Sequence, residues 1–137
     1  MEDLFIPYKQ ALTLRELGFD EPCLAVYNNP DFKWIRHLNG WEENELNKVT
    51  NTKFGSNGFV TAPLYQQTFR WFREKYNMLS NIYSNALGFL FEYHDTIRGT
   101  HKLDSGFNGP NDGGCWDLYK EAELACLKKL IEIVKNK

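Results

Sequence analysis

Cysteine is scarce in this chain and never paired by motif. Cys23, Cys115 and Cys126 are odd in number and widely spread, with no Cys-x-x-Cys. That excludes a disulfide framework and a thiolate zinc site, and it suits free thiols in a reducing cytosol. No apolar run approaches the length of a membrane span. The opening Met1-Glu2-Asp3-Leu4 is acidic and lacks the basic and apolar regions of a secretory leader. A one-signed charge excess is missing too: 16 Lys and Arg stand against 18 Asp and Glu, a net −2, so no global field draws the chain to nucleic acid or anionic lipid. No Gly-Lys-Ser/Thr loop, strand-to-helix GxGxxG or HExxH occurs, which removes the usual signatures of nucleotide loops and zinc proteases.

What the chain has is rings. Ten Phe, seven Tyr and four Trp among 137 residues predict a core built largely from aromatics. The length suits a single globular domain over 1–137, with no internal repeat and no linker composition.

Local signals order the elements. Pro7 opens a short helix over Tyr8 to Leu17, and Gly18 stops it. Cys23 to Tyr27 reads as a strand, closed by the turn Asn28-Asn29-Pro30-Asp31, with Phe32 to Leu38 as its return strand. Residues 39–57 are polar and read as loop, and Phe59-Val60 as a short edge. Pro63 opens a second helix that runs to Tyr76 or Asn77. Met78 to Tyr83 and Ala86 to His94 read as two strands joined near Ser84-Asn85, the second alternating Phe89, Phe91 and Tyr93 against Leu90, Glu92 and His94. Residues 95–116 read as a long Gly/Asn/Asp-rich connection, a length that marks functional or mobile loops. Asp117 is placed to cap a last helix over Leu118 to Lys135. The expected class is α+β: a small antiparallel sheet packed by three helices, in the order α-β-(β)-α-β-β-α.

On the second helix, Tyr65, Phe69, Phe72, Tyr76 and Leu79 fall on one face at the spacing of a packed stripe. Gln66, Arg70, Arg73 and Asn77 form a second stripe of N–H donors. It is either an ordinary solvated face or a recognition surface for an acidic partner or for phosphates. The segment 62–83 is locally +2, against −3 for residues 1–61. Trp71 lies off the main stripe, the kind of ring that anchors interfaces. On the last helix, Tyr119, Ala122, Cys126, Leu130 and Ile133 make one apolar stripe, and Leu124, Leu127, Ile131 and Val134 a second. Together they exceed the arc that one sheet covers, so either the first helix or a symmetric second copy is expected over Leu124, Leu127, Ile131 and Val134, with homodimerisation ahead.

Chemistry-bearing residues are few. His94-Asp95 and His101-Lys102-Leu103-Asp104 offer metal-ligand types, but their spacing matches no ligand motif; no metal and no cofactor are expected. His37 stands apart from both. Cys115, after Gly113-Gly114 and just before the last helix, has the position of an activated thiol without a sequence-adjacent base. Glu42, Glu43 and Glu45 read as solvated charge. Whether His94, His101 and Cys115 share a site is not legible here.

The helix Ala62–Tyr76 and the segment Glu121–Lys135, together with Leu17-Gly18-Phe19-Asp20-Glu21-Pro22, resemble small phage- and prophage-encoded proteins of gut bacteria over about half the chain. The resemblance carries no catalytic residues. It implies a mobile-element origin and action in the cytoplasm of a bacterial host. The functional expectation is a non-enzymatic interaction protein, a homodimer that binds a protein or small ligand and no membrane. The alternatives are a nucleic-acid module on Gln66, Arg70, Arg73 and Lys75, disfavoured by net charge, and an enzyme or nucleotide-handling protein built on loop 95–116.

Overall fold

The computed structural model describes residues 2–34, 49–54, 58–97, 100–106 and 109–136. The class is α+β, with antiparallel sheets and three helices of nine residues or more. Helix α1 spans Tyr8–Glu16, strands β1 and β2 span Ala25–Asn28 and Asp31–Trp34, the single turn α2 spans Asn51–Phe54, and β3 spans Phe59–Thr61. Helix α3 follows over Tyr65–Tyr76, then β4 (Met78–Asn85), β5 (Gly88–Ile97), β6 (Thr100–Gly106) and α4 (Tyr119–Lys135). The expected single sheet is two three-stranded sheets, ordered β2-β1-β3 and β4-β5-β6. The sequence reads as one domain over 1–137; the backbone groups into two compact units, Met1–Tyr65 and Gln66–Lys137, and each is described by itself.

In the first unit, Pro7 takes the cap position of α1 with an extended backbone. The far end closes as Gly18 allows: at φ 97° its N–H reaches the Arg15 carbonyl at 3.1 Å, and the Phe19 N–H reaches the Leu14 carbonyl at 2.9 Å. These two bonds satisfy carbonyls the helix itself leaves open, and Leu14 and Phe19, both buried, add the accompanying apolar contact. The Asn29-Pro30 turn sets β1 against β2, pairing Tyr27 with Phe32 and Ala25 with Trp34. Rings then gather: Phe5 lies 5.1 Å from Phe32 and 5.0 Å from Trp34, and Tyr8 lies 5.5 Å from Tyr27. The Tyr27 hydroxyl donates to the Ile6 carbonyl at 2.7 Å, which gives a buried polar tip its partner.

Part of the polar segment expected as loop is structural. Asn51 is buried; its Nδ2 donates to the Phe19 carbonyl at 2.8 Å and its Oδ1 accepts the Thr61 N–H at 2.9 Å. Asp20 accepts from the Thr52 N–H at 2.7 Å and the Thr52 hydroxyl at 2.6 Å, capping α2 from a distant loop. His37, Glu42, Glu43, Glu45 and the end of the expected return strand, residues 35–38, lie outside the described residues.

In the second unit, β4 and β5 form a continuous hairpin from Met78↔Asp95 to Asn85↔Gly88. The turn is Ala86-Leu87, and the Leu87 N–H is held by the Asn85 side chain at 2.8 Å. Residues 95–116, expected as one loop, instead continue β5 to Ile97 and add β6, which pairs from Ile97↔Thr100 to Phe91↔Gly106. Thr-His-Lys-Leu-Asp-Ser-Gly carries little strand propensity; the β5 backbone supplies the ladder. Asp117 does not cap α4: Leu118 holds the cap position without a side-chain bond, and Asp117 accepts from the Asn111 amide.

Candidate functional site

The donor stripe of α3 survives folding. Gln66, Arg70, Arg73 and Asn77 are all exposed, at a spacing of four, three and four residues that keeps them on one side. Asn77 sits just past the helix at φ 56°, with its N–H on the Arg73 carbonyl at 3.1 Å, so it ends α3 while remaining in line with the stripe. The acidic Glu74 is exposed near the row.

The buried face of α3 is rotated from the expected one. Tyr65, Thr68, Trp71 and Phe72 are buried, whereas Phe69 and Tyr76 are half-buried. Leu79 belongs to β4 and is 40 % exposed. At 100° per residue the covered arc centres on Thr68, half a turn from the donor stripe. Trp71, expected off the apolar face as an interface anchor, is therefore inside it at 6 % exposure. Its ring meets Phe72 at 5.1 Å and Tyr76 at 5.5 Å, and the Lys75 ammonium lies 4.9 Å from its centroid. Lys75, counted among the nucleic-acid donors, is drawn to the ring instead.

The second stripe of α4 is closed as well. Leu127 has no exposure, Ile131 and Val134 are 8 % exposed, and only Leu124 stays half-buried. The stripe for which either the first helix or a second copy is expected as cover is thus largely buried within one chain. The first stripe lies against β4 and β5, where Ala122, Cys126 and Leu130 are fully buried and Tyr119 meets Phe89 at 5.9 Å. Burial pushes the Cys126 thiol up to about 12; the Ser80 hydroxyl bonded to it pulls the other way and the Glu123 carboxylate adds to the rise. Such a thiol stays protonated and inert.

Of the residues proposed for chemistry, Cys115 and His94 are not brought together. Cys115 is fully buried, its thiol directed at the Asn85 Oδ1 at 3.7 Å beside the hairpin turn. His94 faces Leu79 near the other end of the same hairpin, six strand positions from Gly88, roughly 20 Å along β5. His101 takes the register position opposite Thr96; its side chain lies outside the described residues. The His94 Nε2 approaches the Glu92 Oε1 at 3.9 Å, and the Asn81 amide donates to the same oxygen at 3.4 Å. Among the described residues, no three His, Cys, Asp or Glu side chains converge as a metal site would require, and no helix is long and apolar enough to cross a membrane.

Sequence alternation in β5 points to one partly wet sheet face, and the part that β4 adds to it goes unread. The sheet face opposite α4 presents Leu79, Asn81 and Tyr83 from β4 beside Glu92 and His94 from β5, and all five are exposed or half-exposed. Leu79-Ser80-Asn81-Ile82-Tyr83 does not alternate between apolar and polar residues, so β4 gives no such signal; the alternation lies in β5, at Glu92 and His94. No protein-family model, curated protein or solved structure matches the chain.

Proposed function

We propose that this protein is a non-enzymatic binding protein whose recognition surface is the exposed donor row of α3, and that its partner presents carboxylates. One observation carries the reading: Gln66, Arg70, Arg73 and Asn77 remain exposed in line, directly opposite the buried arc of the same helix. A rigid helix held by Thr68, Trp71 and Phe72 keeps the row pre-organised, and two guanidinium forks suit carboxylate geometry. The separation of Cys115 from His94 supports binding over catalysis. Two guanidinium groups on a chain of net −2 charge do not make the extended basic track that a polyphosphate backbone needs, and a short carboxylate segment asks for fewer cations. The resemblance of α3 and α4 to phage- and prophage-encoded proteins makes a bacterial cytoplasm the proposed setting.

The test is fluorescence anisotropy with a labelled oligo-glutamate peptide and a labelled single-stranded DNA of matched charge, at low and physiological salt. Oligo-glutamate is expected to bind the wild type better than DNA does. Arg70→Ala/Arg73→Ala is expected to weaken that binding about tenfold, the sum of two exposed ion pairs worth up to ~1 kcal/mol each. Tighter binding to DNA, or peptide binding indifferent to the double substitution, overturns the proposal.

A further inference from the structure

Large apolar side chains stand open at one end of the second unit. Leu87, at the turn between β4 and β5, is 54 % exposed, and Leu118 and Tyr119, at the start of α4, are 47 % and 48 % exposed. The fold gathers them. Phe89 and Trp116 form an antiparallel bridge. Two residues beyond it, in the antiparallel sense, the chain reaches Leu87 on one side and Leu118 on the other. The Tyr119 ring lies 5.9 Å from the Phe89 ring. A Cβ on Gly113 would sit 3.1 Å from the Leu87 Cδ1, so the Leu87 side chain lies over the glycine turn.

The backbone under the patch is braced. The Gly109 N–H reaches the Gly114 carbonyl at 2.8 Å, and the Asn111 N–H reaches the Cys115 carbonyl at 3.0 Å. The Asn111 amide donates to Asp117. Apolar groups presented on a fixed backbone lose little freedom when a partner arrives. Exposed apolar residues that cluster, unlike single ones, mark contact surfaces.

Charge around the patch selects the occupant. Residues 109–124 hold four carboxylates against one ammonium, that of Lys120, and residues 84–91 hold no charge. Asp112 and Asp117 are exposed, and Glu121 is half-buried. An apolar centre with a charged rim has the anatomy of a protein interface. The carboxylates repel phosphate, which sets aside nucleic acid and anionic lipid. Two copies of the same acidic rim repel each other. We propose that Leu87, Leu118 and Tyr119 form a docking surface for a basic protein segment, which seats an apolar side chain on the patch and sets Lys or Arg against Asp112, Asp117 and Glu121. This goes beyond the α3 reading: it uses other elements and a partner of opposite charge.

Fluorescence anisotropy tests it with a labelled peptide of alternating lysine and leucine, beside labelled oligo-lysine and a peptide of alternating glutamate and leucine. The lysine–leucine peptide is expected to bind best, and more weakly as salt rises. Leu87→Lys/Leu118→Ser is expected to weaken it about tenfold, through lost apolar contact and added repulsion. Leu118 holds the cap position of α4, where Ser is favoured, so circular dichroism is expected to stay unchanged. Asp112→Asn/Glu121→Gln is expected to remove most of the gain at low salt while sparing the binding left at high salt. Neither pair touches Arg70 or Arg73, so oligo-glutamate is expected to meet these variants as it meets wild type, which separates this test from that of the α3 row. Oligo-lysine bound as tightly as the lysine–leucine peptide, or binding indifferent to either double substitution, overturns the proposal. So does adsorption of wild type to anionic vesicles, or a dimer in light scattering that Leu87→Lys/Leu118→Ser dissolves.

Discussion

Phe89 and Trp116 exchange two main-chain hydrogen bonds, so a residue of the glycine-rich connection takes the place beside β5 that β6 leaves at Gly106. The neighbouring Gly88 makes the approach feasible. Its φ is 142°, and a Cβ there would sit 2.5 Å from the Trp116 carbonyl oxygen and 3.1 Å from the Cys115 Cβ. Gly88→Ala is expected to lower stability by about 2–4 kcal/mol, combining overpacking with backbone strain. Gly58→Ala is the control: φ is 76° but nothing lies within 4 Å, so strain alone should cost about 1–2 kcal/mol. Urea midpoints at equal slope compare the two.

Cys126 makes stability fall in alkali. In the folded chain its thiol holds the proton up to about 12, against an ordinary value of 9.0. Between those values the folded state binds the extra proton, so stability decreases as pH rises through the window, by up to about 1.4 kcal/mol per unit. Tyr119, raised by partial burial and then by Glu123, acts in the same direction above 10.0. Urea melts from pH 8 upward should show this slope, and Cys126→Ala should flatten most of it.

Trp71 separates a packed ring from a presented one. Because it is buried among Phe72, Tyr76 and the Lys75 ammonium, Trp71→Ala is expected to cost about 3–5 kcal/mol. Arg70→Ala, one residue away and exposed, should stay within about 0.5 kcal/mol. Near-equal denaturation midpoints for the two variants would return Trp71 to the surface role its sequence position suggests.

Asn51 joins the loop after α1 to β3 through a buried amide. Asn51→Ala leaves the Phe19 carbonyl and the Thr61 N–H without that partner and is expected to cost about 2–3 kcal/mol. Asp20→Ala removes an exposed cap from α2, for about 1 kcal/mol. Thermal unfolding should rank them in that order.

Legibility from sequence followed the range of each signal. Gly18 and the Asn29-Pro30 turn act within a few residues, and α1 and the β1–β2 hairpin stand where those residues put them. The donor stripe of α3 was readable because helical spacing fixes a face without reference to neighbours. The covered arc opposite was misjudged, since ring positions alone do not say which flank meets the interior; Thr68, a small polar residue, marks its centre. Within 95–116 the composition is that of a loop, yet β5 pairs seven of its residues into β6.

By itself, the sequence determined the α+β class, the ends of α1 and the donor row, because helix stops, turn chemistry and periodicity are short-range effects. Only the tertiary structure decided that Leu127, Ile131, Val134 and Trp71 are covered, and that Cys115 and His94 stand at opposite ends of one hairpin. Burial and proximity belong to whichever elements become neighbours, and no local run of residues encodes that choice alone.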